Sequence, residues 1–122
     1  MAAKDELGRA GEQRAADHLR SLGYTIADRN WRCRGGEIDL VALSPSEVLI
    51  VEVKTRAGSG FGHPLEAIDD RKKARLWRLA AAWIADHRSV VQGRRLRFAA
   101  VGLLGPDPAT AALDFLPDLD LR

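Results

Sequence analysis

Gly36-Glu37-Ile38-Asp39-Leu40-Val41-Ala42-Leu43, Ser44-Pro45-Ser46-Glu47 and Val48-Leu49-Ile50-Val51-Glu52-Val53-Lys54 form the stretch that decides the fold. Two apolar runs rich in β-branched residues flank a short Ser/Pro segment, the pattern of a β-hairpin. Alternation along each strand places Ile38, Leu40, Ala42, Leu49, Val51 and Val53 on one wholly apolar face. The other face carries Val41, Leu43, Val48 and Ile50 near the turn, and Glu37, Asp39, Glu52 and Lys54 at the far end. With a four-residue loop centred between Pro45 and Ser46, Asp39 is expected opposite Glu52 and Glu37 opposite Lys54. Strands so apolar belong in the middle of a sheet covered by helices on both sides.

Directly opposed residues bring their Cβ atoms to about 4.5–5.5 Å, so an Asp facing a Glu needs relief. Either one carboxyl keeps its proton or a cation sits between them. Hard oxygen ligands of this kind suit Mg²⁺, with Lys54 beside the ion. A structural ion cluster on a solvated sheet end accounts for an isolated pair equally simply.

The 122 residues are most simply one domain, large enough to fold without disulfide or structural metal, with residues 117–122 as a tail. The single Cys33 excludes an internal disulfide and suits a reducing compartment. No apolar stretch resembles a signal peptide or reaches the roughly 20 residues of a membrane span, so a cytoplasmic protein is expected. Net charge is only +2, but residues 29–97 hold fourteen cations against eight anions. That distribution fits a face that binds a polyanion.

Along the chain, Leu7, Gly11, Ala15, Leu19 and Leu22 predict a first helix over about 4–22, stopped by Gly23. Its small-residue face suits close packing on the sheet, and Glu12 borders that face. A first strand is expected from Tyr24 to Trp31, followed by a basic loop through Gly36. Its arginines and Trp31 suit phosphate contact and base stacking, or simply a buried Trp among solvated arginines. The glycines from Thr55 to Pro64 predict a loop that is not a P-loop, in which His63 has no partner at metal-binding spacing. A second helix is expected over about 70–87, capped by Asp69 or Asp70, with cations crowding its first half. Strands over 96–104 and 111–116 complete the order α-β-β-β-α-β-β.

Gly35-Gly36-Glu37-Ile38-Asp39-Leu40-Val41 with Val51-Glu52-Val53-Lys54-Thr55-Arg56 resembles the PD-(D/E)xK nuclease signature. The chain as a whole resembles the YraN-type family of small bacterial proteins. The matching elements are Gly11-Glu12, Gly23-Tyr24, Arg29-Asn30-Trp31-Arg32, the hairpin, Gly62-His63-Pro64-Leu65-Glu66-Ala67-Ile68 and Lys72-Lys73. The resemblance implies an α/β, restriction-endonuclease-like αβββαβ core, a mixed central sheet flanked by helices, with one extra C-terminal strand. It implies a divalent-metal-dependent nuclease-like protein hydrolysing DNA phosphodiesters, branched DNA among them by similarity to archaeal Holliday-junction resolvases. A catalytically weak or inactive nucleic-acid-binding module of the same fold is the alternative.

By the same resemblance, Asp39, Glu52 and the Val53 carbonyl would hold Mg²⁺ or Mn²⁺, Lys54 would orient or activate water, and Glu12 would assist. Arg32, Arg34, Arg56, Lys72 and Lys73 would neutralise nucleic-acid phosphates. A homodimer would suit a two-fold symmetric junction. One departure stands out: the family's Arg-Phe-Asp run is here Arg97-Phe98-Ala99.

Overall fold

A computed structural model describes residues 2–58 and 64–119 of the chain. Helix α1 (Ala2–Ser21) leads into strands β1 (Thr25–Cys33), β2 (Gly36–Leu43) and β3 (Glu47–Arg56). A 3-10 turn (Pro64–Ala67), helix α2 (Asp70–Asp86) and a single helical turn α3 (Arg88–Val91) follow, then β4 (Arg95–Leu104) and β5 (Ala112–Leu116). The strands form one five-stranded sheet in sequence order, antiparallel except for the β3–β4 pair. The expected mixed α/β sheet with an added C-terminal strand is therefore present. Among the described residues, no helix is long and apolar enough to cross a membrane.

The helix ends follow their local chemistry. Gly23, at φ 97°, closes α1: Tyr24 N–H donates to Leu19 O at 3.1 Å and Gly23 N–H to Arg20 O at 3.0 Å. This is the six-to-one and five-to-two pattern that a left-handed glycine makes accessible. At the other helix, the Asp69 carboxylate accepts from Lys72 N–H at 3.0 Å, so Asp69 is the N-cap.

The sheet separates two apolar layers. Under α1 lie Ala15, Ala16 and Leu19 with Leu40, Ala42, Leu49, Val51, Ala99, Val101 and Leu103. Under α2 lie Leu76, Leu79, Ala80 and Trp83 with Ile38, Val41, Val48, Ile50 and Phe98. Small residues let α1 lie close. A Cβ added at Gly11 would overlap the Thr55 methyl and come within 3.2 Å of Leu103 Cδ1.

The hairpin register has the expected centre: Leu40 pairs Val51, Val41 pairs Ile50, Ala42 pairs Leu49 and Leu43 pairs Val48. Several finer expectations are corrected. The β2–β3 ladder ends at Leu40 and Val51, so Asp39 and Glu52 are not a ladder pair, and Glu37 pairs Arg32 of β1 rather than Lys54. Ile38 lies under α2, on the side opposite Leu40, so alternation breaks at Asp39. The cause is across the β1–β2 ladder. Rungs Arg29–Leu40 and Trp31–Ile38 form, but the Asn30–Asp39 rung between them is missing, and Asn30 has φ 49°.

The basic segment after Trp31 is also strand rather than loop, since β1 continues to Cys33 against Gly36. Trp31 and Cys33 pack against the α2-side core, and Trp31 meets the His87 ring edge-on. Trp31 is thus a partly buried packing residue of that core. β3 likewise runs on to Arg56, two residues into the expected loop. His63 lies outside the described residues. The expected tail is tied down at its start, where Leu119 N–H donates to Phe98 O.

Candidate functional site

Past Leu40, β2 stays paired to β1 while β3 stays paired to β4, so the two central strands part. A strand edge released in this way needs partners for its backbone groups. Asp39 supplies one: its Oδ2 accepts from Val53 N–H at 2.7 Å. The Val53 carbonyl, on the same edge of an extended strand as its N–H, faces the same fork.

Glu52 meets Asp39 in this fork, carboxyl hydrogen-bonded to carboxyl. At 5% exposure, Glu52 is the only buried charged side chain among the described residues. Burial and the Glu52 carboxyl push Asp39 up to about 9, against the opposing Val53 N–H. Burial beside a second carboxyl thus favours the protonated form of Asp39. Glu12 reaches the fork from α1 and is also held above the ordinary carboxylate range, chiefly by burial and opposed by its hydrogen bond to Asn30. The close fit at Gly11 is what brings Glu12, the next residue, within reach.

Carboxylate oxygens of Glu12, Glu37 and Asp39 all lie within 4.8 Å of one another. With bonds of roughly 2.1 Å, an octahedral Mg²⁺ holds neighbouring ligands about 3.0 Å apart and opposite ones about 4.2 Å apart, so an ion would draw these oxygens inward. An all-oxygen set crowded enough to retain a proton fits a hard divalent cation, which would take that proton's place.

Beside the fork, and sharing Glu12 and Val53 with it, lies a cleft of about 710 Å³ between the first half of α1 and the start of α2. Its walls are Leu7, Gly8, Arg9 and Glu12 from α1, Asn30 and Arg32 from β1, Val53 to Arg56 from β3, and Lys72 from α2. The Lys72 ammonium is held below its usual range, first by the adjoining Lys54 ammonium and then by burial.

Of the residues singled out in the sequence, Asp39, Glu52, Val53 and Glu12 meet at the fork, and Lys54 lies on the cleft wall beside Lys72. Arg32, Arg56 and Lys72 line the cleft, whereas Arg34 and Lys73 do not. Arg34 sits in the turn between β1 and β2. Ala99 is fully buried in the apolar layer under α1, one rung below the fork opposite Val51, so its methyl completes that core rather than facing the cleft.

Glu37 and Arg9 were not legible as site residues. The hairpin pattern places Glu37 opposite Lys54, but its carboxylate accepts from Arg32 Nε at 2.7 Å and lies near Asp39. Arg9 had one available signal, its place three residues before Glu12 on one helix face.

The model of the Uncharacterised protein family UPF0102 matches residues 11–103. A UPF0102 protein of Arthrobacter sp. (strain FB24) is 54% identical over 101 residues, covering 83% of this chain and 86% of that protein. One of Acidothermus cellulolyticus is 55% identical over 85 residues, 70% of this chain but only 64% of that longer protein. One of Leifsonia xyli subsp. xyli is 46% identical over 119 residues, 98% of this chain and 99% of that protein. The matched span contains the whole hairpin and every carboxylate of the fork, and the chain belongs to the uncharacterised protein family UPF0102.

Proposed function

We propose that this protein binds nucleic acid in the cleft and hydrolyses DNA phosphodiesters with a divalent cation, Mg²⁺ or Mn²⁺, in the manner of a PD-(D/E)xK nuclease. The observation that carries this reading is the fork itself: the carboxyls of Asp39, Glu52, Glu12 and Glu37 crowd together beside a cleft lined by cations. Glu12, Glu37 and Asp39 would hold the ion, with Glu52 and the Val53 carbonyl beside it. A cation bound there supplies Lewis-acid polarisation of a phosphoryl oxygen and acidifies a bound water.

The chain's own groups carry the remaining work. Lys54 and Lys72 present two ammoniums at the cleft wall, where negative charge grows on a phosphoryl group under attack. Arg32 and Arg56 neutralise neighbouring phosphates. Gly11 and Asn30 position Glu12.

The cationic lining supports binding without turnover as a second reading. One experiment separates the two: Mn²⁺ titration into wild type and Asp39→Asn, followed by cleavage assays on single-stranded, duplex and branched DNA. Hydrolysis predicts metal-dependent cutting that Asp39→Asn abolishes while DNA binding survives. Equal behaviour of the two proteins, with no metal bound, would leave the binding module.

A further inference from the structure

Arg32 and Glu37 face each other as a ladder pair of β1 and β2, and Arg32 Nε donates to Glu37 Oε2 at 2.7 Å. The pair spans the boundary between two parts of the site. Glu37 brings a carboxylate oxygen within 4.8 Å of those of Glu12 and Asp39, whereas Arg32 lines the cleft. Each therefore has a second use: Glu37 as an oxygen ligand for a divalent cation, Arg32 as a guanidinium for phosphate.

Both uses compete with the bond between them. A guanidinium at hydrogen-bond distance shares the carboxylate's single negative charge and repels a cation placed on it. A phosphate gripped through the Nε edge of the guanidinium takes the donor that Glu37 now holds. The bond is also easily given up. The Arg32 side chain is 81% exposed and that of Glu37 33%, and exposed ion pairs contribute little to stability.

We propose that Arg32 and Glu37 couple the two ligands of this site. Phosphate draws Arg32 off Glu37 and releases that carboxylate to the cation; the cation draws Glu37 off Arg32 and releases that guanidinium to phosphate. Cation and polynucleotide thus strengthen each other's binding, and linkage makes the factor the same in both directions. An exposed pair limits it to about fivefold. This regulation deepens the nuclease reading and rests on it for both ligands.

Removing one partner mimics its capture by ligand, so each half can be measured with one ligand alone and without turnover. Calorimetric titration with Mn²⁺ compares wild type, Arg32→Ala, Glu37→Gln and the double variant. Arg32→Ala should bind Mn²⁺ about fivefold tighter than wild type, and the same substitution in the Glu37→Gln background should change nothing. Fluorescence anisotropy with a labelled oligothymidylate in EDTA compares wild type, Glu37→Gln and Asp17→Asn over a range of salt. Glu37→Gln should bind about fivefold tighter, with the slope of log affinity against log salt steeper by about 0.7, one added single-strand phosphate contact. Asp17→Asn removes an equal charge from the exposed face of α1, outside the cleft lining, and should match wild type. Arg32 and Glu37 belong to neither apolar core, so these variants should fold.

Mn²⁺ affinity in Arg32→Ala equal to or below that of wild type would overturn the coupling. So would an undiminished gain in the Glu37→Gln background, the mark of bare charge repulsion, or oligothymidylate binding unimproved in Glu37→Gln. Any of these results in a wild type that still binds Mn²⁺ and the oligothymidylate would leave the proposed function standing. Failure of wild type to bind Mn²⁺ would remove the coupling and the nuclease reading together.

Discussion

Asp39 Oδ2 accepts the Val53 N–H at 2.7 Å, doing for β3 what the backbone of β2 would have done had the ladder continued. One side chain thereby closes the open edge of the central strand and draws its own carboxyl against that of Glu52. The raised pKa of Asp39 follows from that replacement, and so does the pH behaviour of the metal-free protein.

Asp39 ionises near 3.8 when unfolded and near 9 when folded, so between those values the folded state holds a proton that the unfolded state lacks. The associated stability is complete below about pH 4 and is lost as pH rises toward 9, by at most about 1.4 kcal/mol per pH unit. Thermal unfolding in EDTA should show Tm falling by more than about 5 °C between pH 5 and 9, and Asp39→Asn should flatten that fall. A Tm that rises over this range, or a fall unchanged in Asp39→Asn, would contradict the raised Asp39 pKa. Mg²⁺ should reduce the slope in wild type by displacing the proton.

Glu37 was not expected among the ligands, and its contribution is separable. Calorimetric titration with Mn²⁺ should show binding lost in Asp39→Asn and weakened about tenfold, or about 1.4 kcal/mol, in Glu37→Gln and in Glu12→Gln. Wild-type affinity in Glu37→Gln would confine Glu37 to its ion pair with Arg32.

Gly11 tests whether packing or helix propensity governs α1. Alanine is better than glycine inside a helix by about 1 kcal/mol, so propensity alone predicts that Gly11→Ala stabilises. The overlap with the Thr55 methyl predicts the opposite, a loss of about 1–3 kcal/mol typical of overpacking. Urea unfolding should show that loss, and Thr55→Ser, which removes the methyl, should restore most of it in the double variant.

At the other end of the sheet, Glu47 accepts from Tyr24 Oη at 2.8 Å and from Arg97 Nη1 at 2.6 Å, while Arg97 Nη2 reaches Pro117 O at 2.9 Å. Arg97 and Tyr24 hold Glu47 below the usual carboxylate range. Tyr24→Phe should cost about 1 kcal/mol and Arg97→Ala about 2 kcal/mol by denaturant unfolding, the second because it strands a charged acceptor. Neither should alter Mn²⁺ binding, because neither residue lines the cleft.

The hairpin, its turn centre, both helices and the element order were legible because periodicity and turn chemistry are properties of a few adjacent residues. Helix-stop glycine and N-cap aspartate act within one turn and acted as expected, as did the alternation of the hairpin from Leu40 to Val51. The charged end of the hairpin was legible as chemistry but not as geometry. Alternation assumes a continuous ladder, and here the ladder breaks where Asn30, nine residues earlier, takes a positive φ opposite Asp39. That break moves Ile38 under α2, parts β2 from β3 and turns Glu37 toward Glu12 rather than Lys54. The cleft depends on still longer separations: Gly11 seated on Thr55, Arg9 and Arg56 lining one cleft, Lys72 against Lys54. Residue types and local periods determined which groups this chain has to offer and in which elements they sit. Which of them meet was decided by strand separation and helix approach, since those depend on packing between segments that no local pattern encodes.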